Sequence, residues 1–335
     1  MNFQRNLAIT PTSLHTIAVI VMVLWIVVGV FGGSSNPYNT GNYKIVASGW
    51  WFQLPSILSH AGWFNSLFGM LASVFTVYTL AELNISQVLL RVNSRIMSIV
   101  FGALVSTCIF IHSFCPGMVM MVCVLLSYFG LFSSYQLENS STRIYSTFLY
   151  LSIASLTFPK ALWLLPIYWL SMYMLRTCNI RSVIASVLGL LTPYWIVGTI
   201  AFCTDKMPSF WNTFGQFYRF HWGGYTTLST ATWVMIGLTF IMFMIGVCDF
   251  FVRIYMDKNR TRNIYYVIIL HGFAYFLLLI LQPIHAQAIM PLILLSTSIM
   301  AGHYIANGES SLSNILTSII SATILIVFVL NTWIL

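Results

Sequence analysis

Residues 231–252 read ATWVMIGLTFIMFMIGVCDFFV, an apolar stretch whose single charged residue, Asp249, stands near its end. A helix that crosses a bilayer needs about 20 mostly apolar residues, because each residue rises 1.5 Å through a hydrocarbon core of about 30 Å. This stretch is long enough and apolar enough to be a transmembrane helix. Since similar stretches recur along the whole chain, it decides the class of the protein.

The composition of the chain indicates the same class. Of its 335 residues, 59% are hydrophobic and only 6% are charged, and the mean hydropathy is +0.88. Soluble domains carry about 25% charged residues, which they need to solvate their surface. The composition excludes a cytosolic enzyme, a nucleic-acid-binding protein and a disordered chain. We expect an all-α polytopic integral membrane protein, folded as one transmembrane domain over residues 1–335.

Eleven apolar runs are candidate spans, and two pairs of them are joined too closely for ordinary loops. Proline and glycine interrupt the chain at Cys115-Pro116-Gly117 and at Phe158-Pro159-Lys160, so each pair forms either a tight helical hairpin or two half-depth helices. Besides the run quoted above, the candidate spans lie near residues 14–33, 62–82, 96–114, 117–134, 144–158, 161–175, 182–203, 264–282, 286–304 and 313–334.

The distribution of basic residues predicts the orientation. With the N-terminus inside, ten basic residues fall in cytoplasmic segments and four fall outside, which is the asymmetry that orients membrane proteins. The eleven runs then place the C-terminus outside. The cytoplasmic set is Arg5, Arg91, Arg95, Arg143, Arg176, Arg181, Arg253, Lys258, Arg260 and Arg262, and the outer set is Lys44, Lys160, Lys206 and Arg219.

The two longest segments between spans are 34–61 and 204–230, both outside and both rich in aromatic residues. The sequence SGWWFQLPSIL at 48–58 fits an interfacial helix with its rings at headgroup level. The second segment carries a similar aromatic series. Two interpretations stay open, either a lid or platform over an outer cavity or a plain aromatic belt.

Acidic residues lie on the inner side, apart from Asp205. No carboxylate stands near the middle of a span, which argues against a proton- or sodium-coupled carrier. For Glu82 and Asp249 we favour ion pairs with nearby Arg91, Arg95 or Arg253. His271 lies in the middle of a span, and we expect it to be hydrogen-bonded to a neighbouring helix.

The outer face, in contrast, is cationic. Lys160, Lys206, Arg219 and His221 could hold an anion there, such as a lipid-linked phosphate at the outer interface. The alternative is that these are loop or snorkelling residues scattered by chance. Neither the histidines nor the cysteines show metal-binding spacing, and the chain carries no nucleotide-binding or hydrolase motif, so we expect no metal and no cofactor.

Residues 138–203 carry a resemblance to known families. A helix with small residues is followed by the Phe158-Pro159 break, a helix that ends in Arg176, then Arg181 and the series Gly189-x-x-x-Pro-Tyr. This layout, about a fifth of the chain, resembles an uncharacterised family of Bacteroidota polytopic inner-membrane proteins. It is also distantly similar to the C-type glycosyltransferases, which take sugars from polyprenyl-phosphate donors. The resemblance implies a bacterial inner membrane, with Lys160 facing a donor phosphate and segment 34–61 in place of the catalytic loop.

The chain departs from the glycosyltransferase pattern in that segment. Those enzymes need an acidic residue in the first outer loop, whereas residues 34–61 contain no Asp or Glu. His60 or Asp205 would have to act as the catalytic base instead.

We therefore expect a non-catalytic or accessory component of cell-envelope biogenesis that engages lipid-linked phosphate. Its partners would be membrane lipid, including polyprenyl phosphate, and a second membrane protein, but no nucleic acid. The alternative functions are a glycosyltransferase that uses a polyprenyl-phosphate sugar and, third, a secondary transporter.

Overall fold

A computed structural model describes residues 62–90, 95–108, 115–137, 139–217, 225, 228 and 230–307. Within these residues the regular elements are helices, with no β-strand, so the predicted all-α class is confirmed. Short 3₁₀ turns occupy Pro159–Leu164, Ile254–Met256 and Pro283–His285. The α-helices are α1 (Gly62–Gln87), α2 (Ile96–Thr107), α3 (Pro116–Ser133), α4 (Ser141–Thr157), α5 (Leu165–Met174), α6 (Ile180–Cys203), α7 (Met207–Phe217), α8 (Thr230–Arg253), α9 (Asn259–Leu281) and α10 (Ala286–Asn307).

Six segments of the described chain are long enough and apolar enough to cross a membrane, which supports the predicted membrane protein. Nine of the predicted runs coincide with helices, and the runs at 14–33 and 313–334 lie outside the described residues. The six segments are Leu67–Gln87, Pro116–Ser133, Ile180–Cys203, Thr232–Met256, Asn259–Leu281 and Pro283–Ala306.

Helices α2 and α5 are shorter than the sequence analysis predicts. Helix α2 ends at Thr107 instead of near residue 114. Helix α4 ends at Thr157, and the helix predicted from residue 161 begins only at Leu165, after the 3₁₀ turn. Pro159 ends α4 because it has no backbone N–H to continue the helix, and it holds the preceding residue in an extended conformation.

Helix α10 is the centre of the bundle. It packs against α2, α3, α8 and α9, and 89% of the most apolar 18-residue stretch of its span is buried within the protein. Gly117 at the start of α3 allows one of these contacts, because a Cβ atom there would lie 2.4 Å from the carbonyl oxygen of Ala288. In α6, by contrast, only 17% of the most apolar 18-residue stretch is buried, since this helix packs mainly on α4.

The bundle has two ends, which we name by their residues. The lysine end holds Lys160, Gln282 and His285, which the chain brings together from the α4–α5 and α9–α10 connections. The arginine end holds Arg253 and Arg260, together with His303 of α10. Lys160 and His285, which were predicted in outer segments, thus lie at the first end. Arg253 and Arg260, which were predicted in inner segments, lie at the second.

Candidate functional site

Of the two residues of the predicted anion site that the structure describes, Lys160 is buried and Lys206 is exposed. It lies in the 3₁₀ turn Pro159–Leu164, and the whole residue is only 6% exposed. Burial lowers the pKa of its ammonium group to about 8, because removing a cation from water disfavours the charged form. Among the described residues, none forms an ion pair with Lys160. A buried lysine held in this way is a candidate functional residue.

The partner of Lys160 is a neutral amide. The Lys160 Nζ atom donates a hydrogen bond of 2.6 Å to Oε1 of Gln282, the residue that follows α9. Gln282 is 2% exposed, and its Nε2 atom has no hydrogen-bond partner among the described residues. The orientation of the amide is fixed, because the ammonium group can only donate and must face the oxygen. A buried N–H donor is therefore left unsatisfied beside a buried cation.

The surroundings of this pair supply donors and rings. His285 is buried close by and meets the ring of Phe158 edge to face at 5.3 Å. Cys115 donates a weak hydrogen bond from Sγ to the carbonyl oxygen of Gln287, at 3.7 Å. Burial raises the pKa of the Cys115 thiol to about 11, so it stays neutral at physiological pH.

The chemistry of this arrangement suits an anion. A phosphate or carboxylate group can accept hydrogen bonds from both Lys160 Nζ and Gln282 Nε2, since both nitrogens flank the same Oε1 atom. Such charge-assisted bonds are shorter and about twice as strong as neutral ones. An unsatisfied buried donor costs about 1–3 kcal/mol, which a bound anion would recover.

Helix α7 lies over this end and was missed by the sequence analysis, which assigned residues 204–230 to an aromatic segment. Phe210, Phe214 and Phe217 share one face of the helix at i, i+4 and i+7. The ring of Phe217 stacks on Trp163 at 5.3 Å, in the same 3₁₀ turn as Lys160. Of the two interpretations, these contacts favour a platform of rings next to the buried lysine.

Asp205, a candidate catalytic residue, forms part of the C-terminal end of helix α6. It follows α6 with a φ of 55°, and its N–H donates to the carbonyl oxygen of Phe202. The N–H of Lys206 donates to the carbonyl oxygen of Ala201, which completes a Schellman motif. Asp205 and Lys206 are both exposed, so the structure does not join Lys206 to Lys160 in one buried cluster. His60, Arg219 and His221 lie outside the described residues.

His271 belongs to a buried hydrogen-bond network in the middle of the bundle. The Ser171 hydroxyl donates to the carbonyl oxygen of Ile167, so its oxygen accepts the Nε2–H of His271 at 3.0 Å. His271 Nδ1 then accepts a hydrogen bond from the Tyr128 hydroxyl at 2.9 Å, and Tyr128 accepts one from Tyr275. Every donor in this series has an acceptor. The expectation that His271 bonds to neighbouring helices is confirmed.

The arginine end contains one ion pair and one contact between an acid and an imidazole. Asp249 pairs with Arg253 at 2.9 Å, one of the partners predicted for it. Asp257 and His303 form a second contact of 3.2 Å, which the sequence analysis missed because the two residues lie 46 positions apart. Gln282 was missed as well, although an amide at the end of an apolar run is itself a signal of a polar site.

No protein-family model, curated protein or solved structure matches the chain. The candidate function therefore depends on the geometry of its own residues.

Proposed function

We propose that the chain is a bacterial inner-membrane protein that binds lipid-linked phosphate at the outer leaflet, as a non-catalytic or accessory component of cell-envelope biogenesis. In this proposal the lysine end faces outward and the arginine end faces the cytoplasm. The eleven predicted runs all cross the membrane, with the N-terminus inside and the C-terminus outside.

The observation that carries the proposal is the pairing of Lys160 with Gln282. A buried cation is unfavourable unless a counter-charge compensates it. Among the described residues the Lys160 ammonium group donates only to the amide oxygen of Gln282. The Nε2 donor of the same amide has no acceptor among them. A phosphate group supplies both the charge and the acceptors. The ring platform of Trp163 and Phe217 is suited to the interfacial depth at which a lipid headgroup lies.

The proposed orientation is supported by the basic residues of the two ends. Of the basic residues that the structure describes, eight belong to the arginine end and two, Lys160 and Lys206, to the lysine end. Basic residues favour the cytoplasmic side, which supports an orientation with the arginine end in the cytoplasm. The eight are Arg95, Arg143, Arg176, Arg181, Arg253, Lys258, Arg260 and Arg262.

A binding measurement on the purified protein tests the proposal. Native mass spectrometry in mild detergent would titrate polyprenyl phosphate against wild type, Lys160→Gln and, as the matched control at the other end, Lys258→Gln. We expect Lys160→Gln to weaken binding at least about tenfold, because it removes a charge-assisted hydrogen bond. Lys258 is exposed at the arginine end, so its variant should bind like wild type.

Gln282→Glu is the sharper variant. It replaces the unsatisfied donor by a carboxylate of the same shape, which would neutralise Lys160 and repel an anion while the fold is kept. Loss of binding in this variant, with an unchanged unfolding temperature, is the expected result. Competition by inorganic phosphate would show that the phosphate group alone suffices, whereas no competition would show that the lipid chain is needed as well. Equal binding by wild type, Lys160→Gln and Gln282→Glu would disprove the site.

A further inference from the structure

A groove of about 450 Å³ runs along the surface of α8 towards the arginine end. This volume lies in the range of roughly 300–1,000 Å³ that ligand pockets occupy. Its lining residues on α8 recur every four positions and therefore form one face of the helix. The apolar wall is formed by Phe240, Ile241, Met244, Ile245 and Val252, and Tyr304 of α10 also lines the groove.

The close packing of α8 on α10 shapes this surface. A Cβ atom at Gly246 would lie 2.8 Å from the carbonyl carbon and oxygen of Met300, so glycine is needed where the two backbones meet. Next to this contact, the small side chain of Cys248 stands between Met244 and Val252 in the same row of α8. The small residue leaves a depression between its larger neighbours in this row.

One charged residue, Asp249, lines the otherwise apolar groove. Its Oδ1 atom accepts the Nε–H of Arg253 at 2.9 Å. Its Oδ2 atom has no hydrogen-bond partner among the described residues, and the side chain is only 10% exposed. A buried carboxylate oxygen without a donor is unfavourable, and an ionisable residue within a span marks a functional site. The groove therefore combines a hydrocarbon surface with one unsatisfied acceptor.

We propose that this groove binds an aminophospholipid, with an acyl chain along the apolar wall and the headgroup ammonium donating a hydrogen bond to Asp249. The headgroup phosphate would then lie on the side of Arg253. Each charge of the lipid headgroup would thus face the opposite charge of the Asp249–Arg253 pair. Asp249 is one turn from the end of α8, a position that suits the depth of a headgroup. The site lies at the arginine end and is independent of the one at Lys160.

The chemistry of the headgroup gives the proposal its specificity. The primary ammonium of phosphatidylethanolamine has N–H donors, whereas the quaternary ammonium of phosphatidylcholine has none. Only the first can satisfy the Oδ2 atom of Asp249. An annular lipid held by its chains alone would show no such preference.

Photo-crosslinking in nanodiscs tests this directly. The full chain would be exposed to phosphatidylethanolamine or phosphatidylcholine carrying the same diazirine-labelled acyl chain, and labelled peptides would be measured by mass spectrometry. We expect the peptide 240–252 to be labelled roughly tenfold more by the ethanolamine lipid, the ratio that corresponds to one hydrogen bond to a charged group. Peptides from the exposed face of α6, such as 187–196, are the internal control and should be labelled equally by both lipids.

Two variants complete the test. Asp249→Asn keeps the shape but removes the charge, and it should bring the two lipids close to equal labelling. Ile245→Trp fills the groove and should reduce labelling of α8 by either lipid. Equal labelling of wild-type α8 by both lipids would overturn the proposal, whatever the variants do. So would the absence of labelling, which would mean that another part of the protein covers the groove.

Discussion

The two ends of the bundle hold their buried charges in opposite ways. At the arginine end Asp249 faces Arg253 at 2.9 Å, and Asp257 faces His303 at 3.2 Å. At the lysine end Lys160 is buried to a similar extent but faces only the neutral amide of Gln282. Each buried acid thus has a hydrogen-bond donor at one end, whereas at the other end a cation has only a neutral partner among the described residues.

For Asp257 and Lys160 this difference separates a structural from a functional use of a buried polar group. Removing one partner of a buried contact leaves an uncompensated group and destabilises the fold. The Asp257–His303 contact therefore holds the start of α9 against α10, whereas the Asp249–Arg253 pair lies within α8. A buried cation with a neutral partner makes the fold less stable and is compensated only when an anion binds. We therefore expect substitutions at the two ends to change stability in opposite directions.

The largest effect is expected from Asp257→Ala at the arginine end. Asp257 and His303 join the start of α9 to the central helix α10, and both side chains are almost fully buried. Losing a hydrogen bond between such groups should lower the free energy of unfolding by about 2–3 kcal/mol. Thermal unfolding in detergent would measure this, with Lys258→Ala as the exposed neighbouring control. An unchanged unfolding temperature would show that the contact does not support the fold.

A smaller effect of opposite sign is expected from Lys160→Met at the lysine end. The pKa of Lys160 is lowered from 10.5 to about 8, which corresponds to about 3 kcal/mol of unfavourable burial of the charged form. Methionine removes that penalty but leaves the Oε1 atom of Gln282 without its donor, at a cost of about 1–2 kcal/mol. The first effect is larger, so the variant should be more stable than wild type by about 1–2 kcal/mol at pH 7.

The pH dependence of this difference is the stronger measurement. Between pH 8 and 10.5 the unfolded chain still holds the proton of Lys160 while the folded chain has released it, so wild-type stability rises with pH. The penalty that Lys160→Met removes then disappears, and only the loss of its hydrogen bond remains. The variant should therefore become less stable than wild type near pH 10. If the free energies of unfolding of the two proteins changed with pH in the same way, a buried charged lysine would be contradicted.

The sequence predicts the helices well and the partners poorly. Apolar runs locate spans because the bilayer sets their length, as in α8 and α9. Lys160 also stands out, since a lysine beside a proline break in an apolar region is unusual. Gln282 could not be predicted as its partner, because 122 residues separate the two and only helix packing brings them together. The sequence likewise shows that Asp205 is the one acid predicted outside. It does not reveal that the residue occupies a left-handed backbone position at the end of α6.

The smallest predicted change in stability comes from two helix ends with the same backbone conformation, one at each end of the bundle. Val88 follows α1 at the arginine end and Asp205 follows α6 at the lysine end, with φ values of 52° and 55°. Both occupy the left-handed position of a Schellman motif, in which Leu89 N–H donates to Asn84 and Lys206 N–H to Ala201. Glycine adopts this conformation without steric cost, aspartate tolerates it, and a β-branched residue is strained.

Val88→Gly should therefore stabilise the protein by about 1 kcal/mol, and Asp205→Gly by only a few tenths. Val88 is 58% exposed, so its substitution removes little packing that could mask the gain in backbone energy. Differential scanning calorimetry of the two variants would show the difference. Asp205→Gly should also bind polyprenyl phosphate like wild type, because the role of Asp205 is to adopt the left-handed conformation that ends α6. Loss of that binding would instead assign the Asp205 carboxylate to the site at the lysine end.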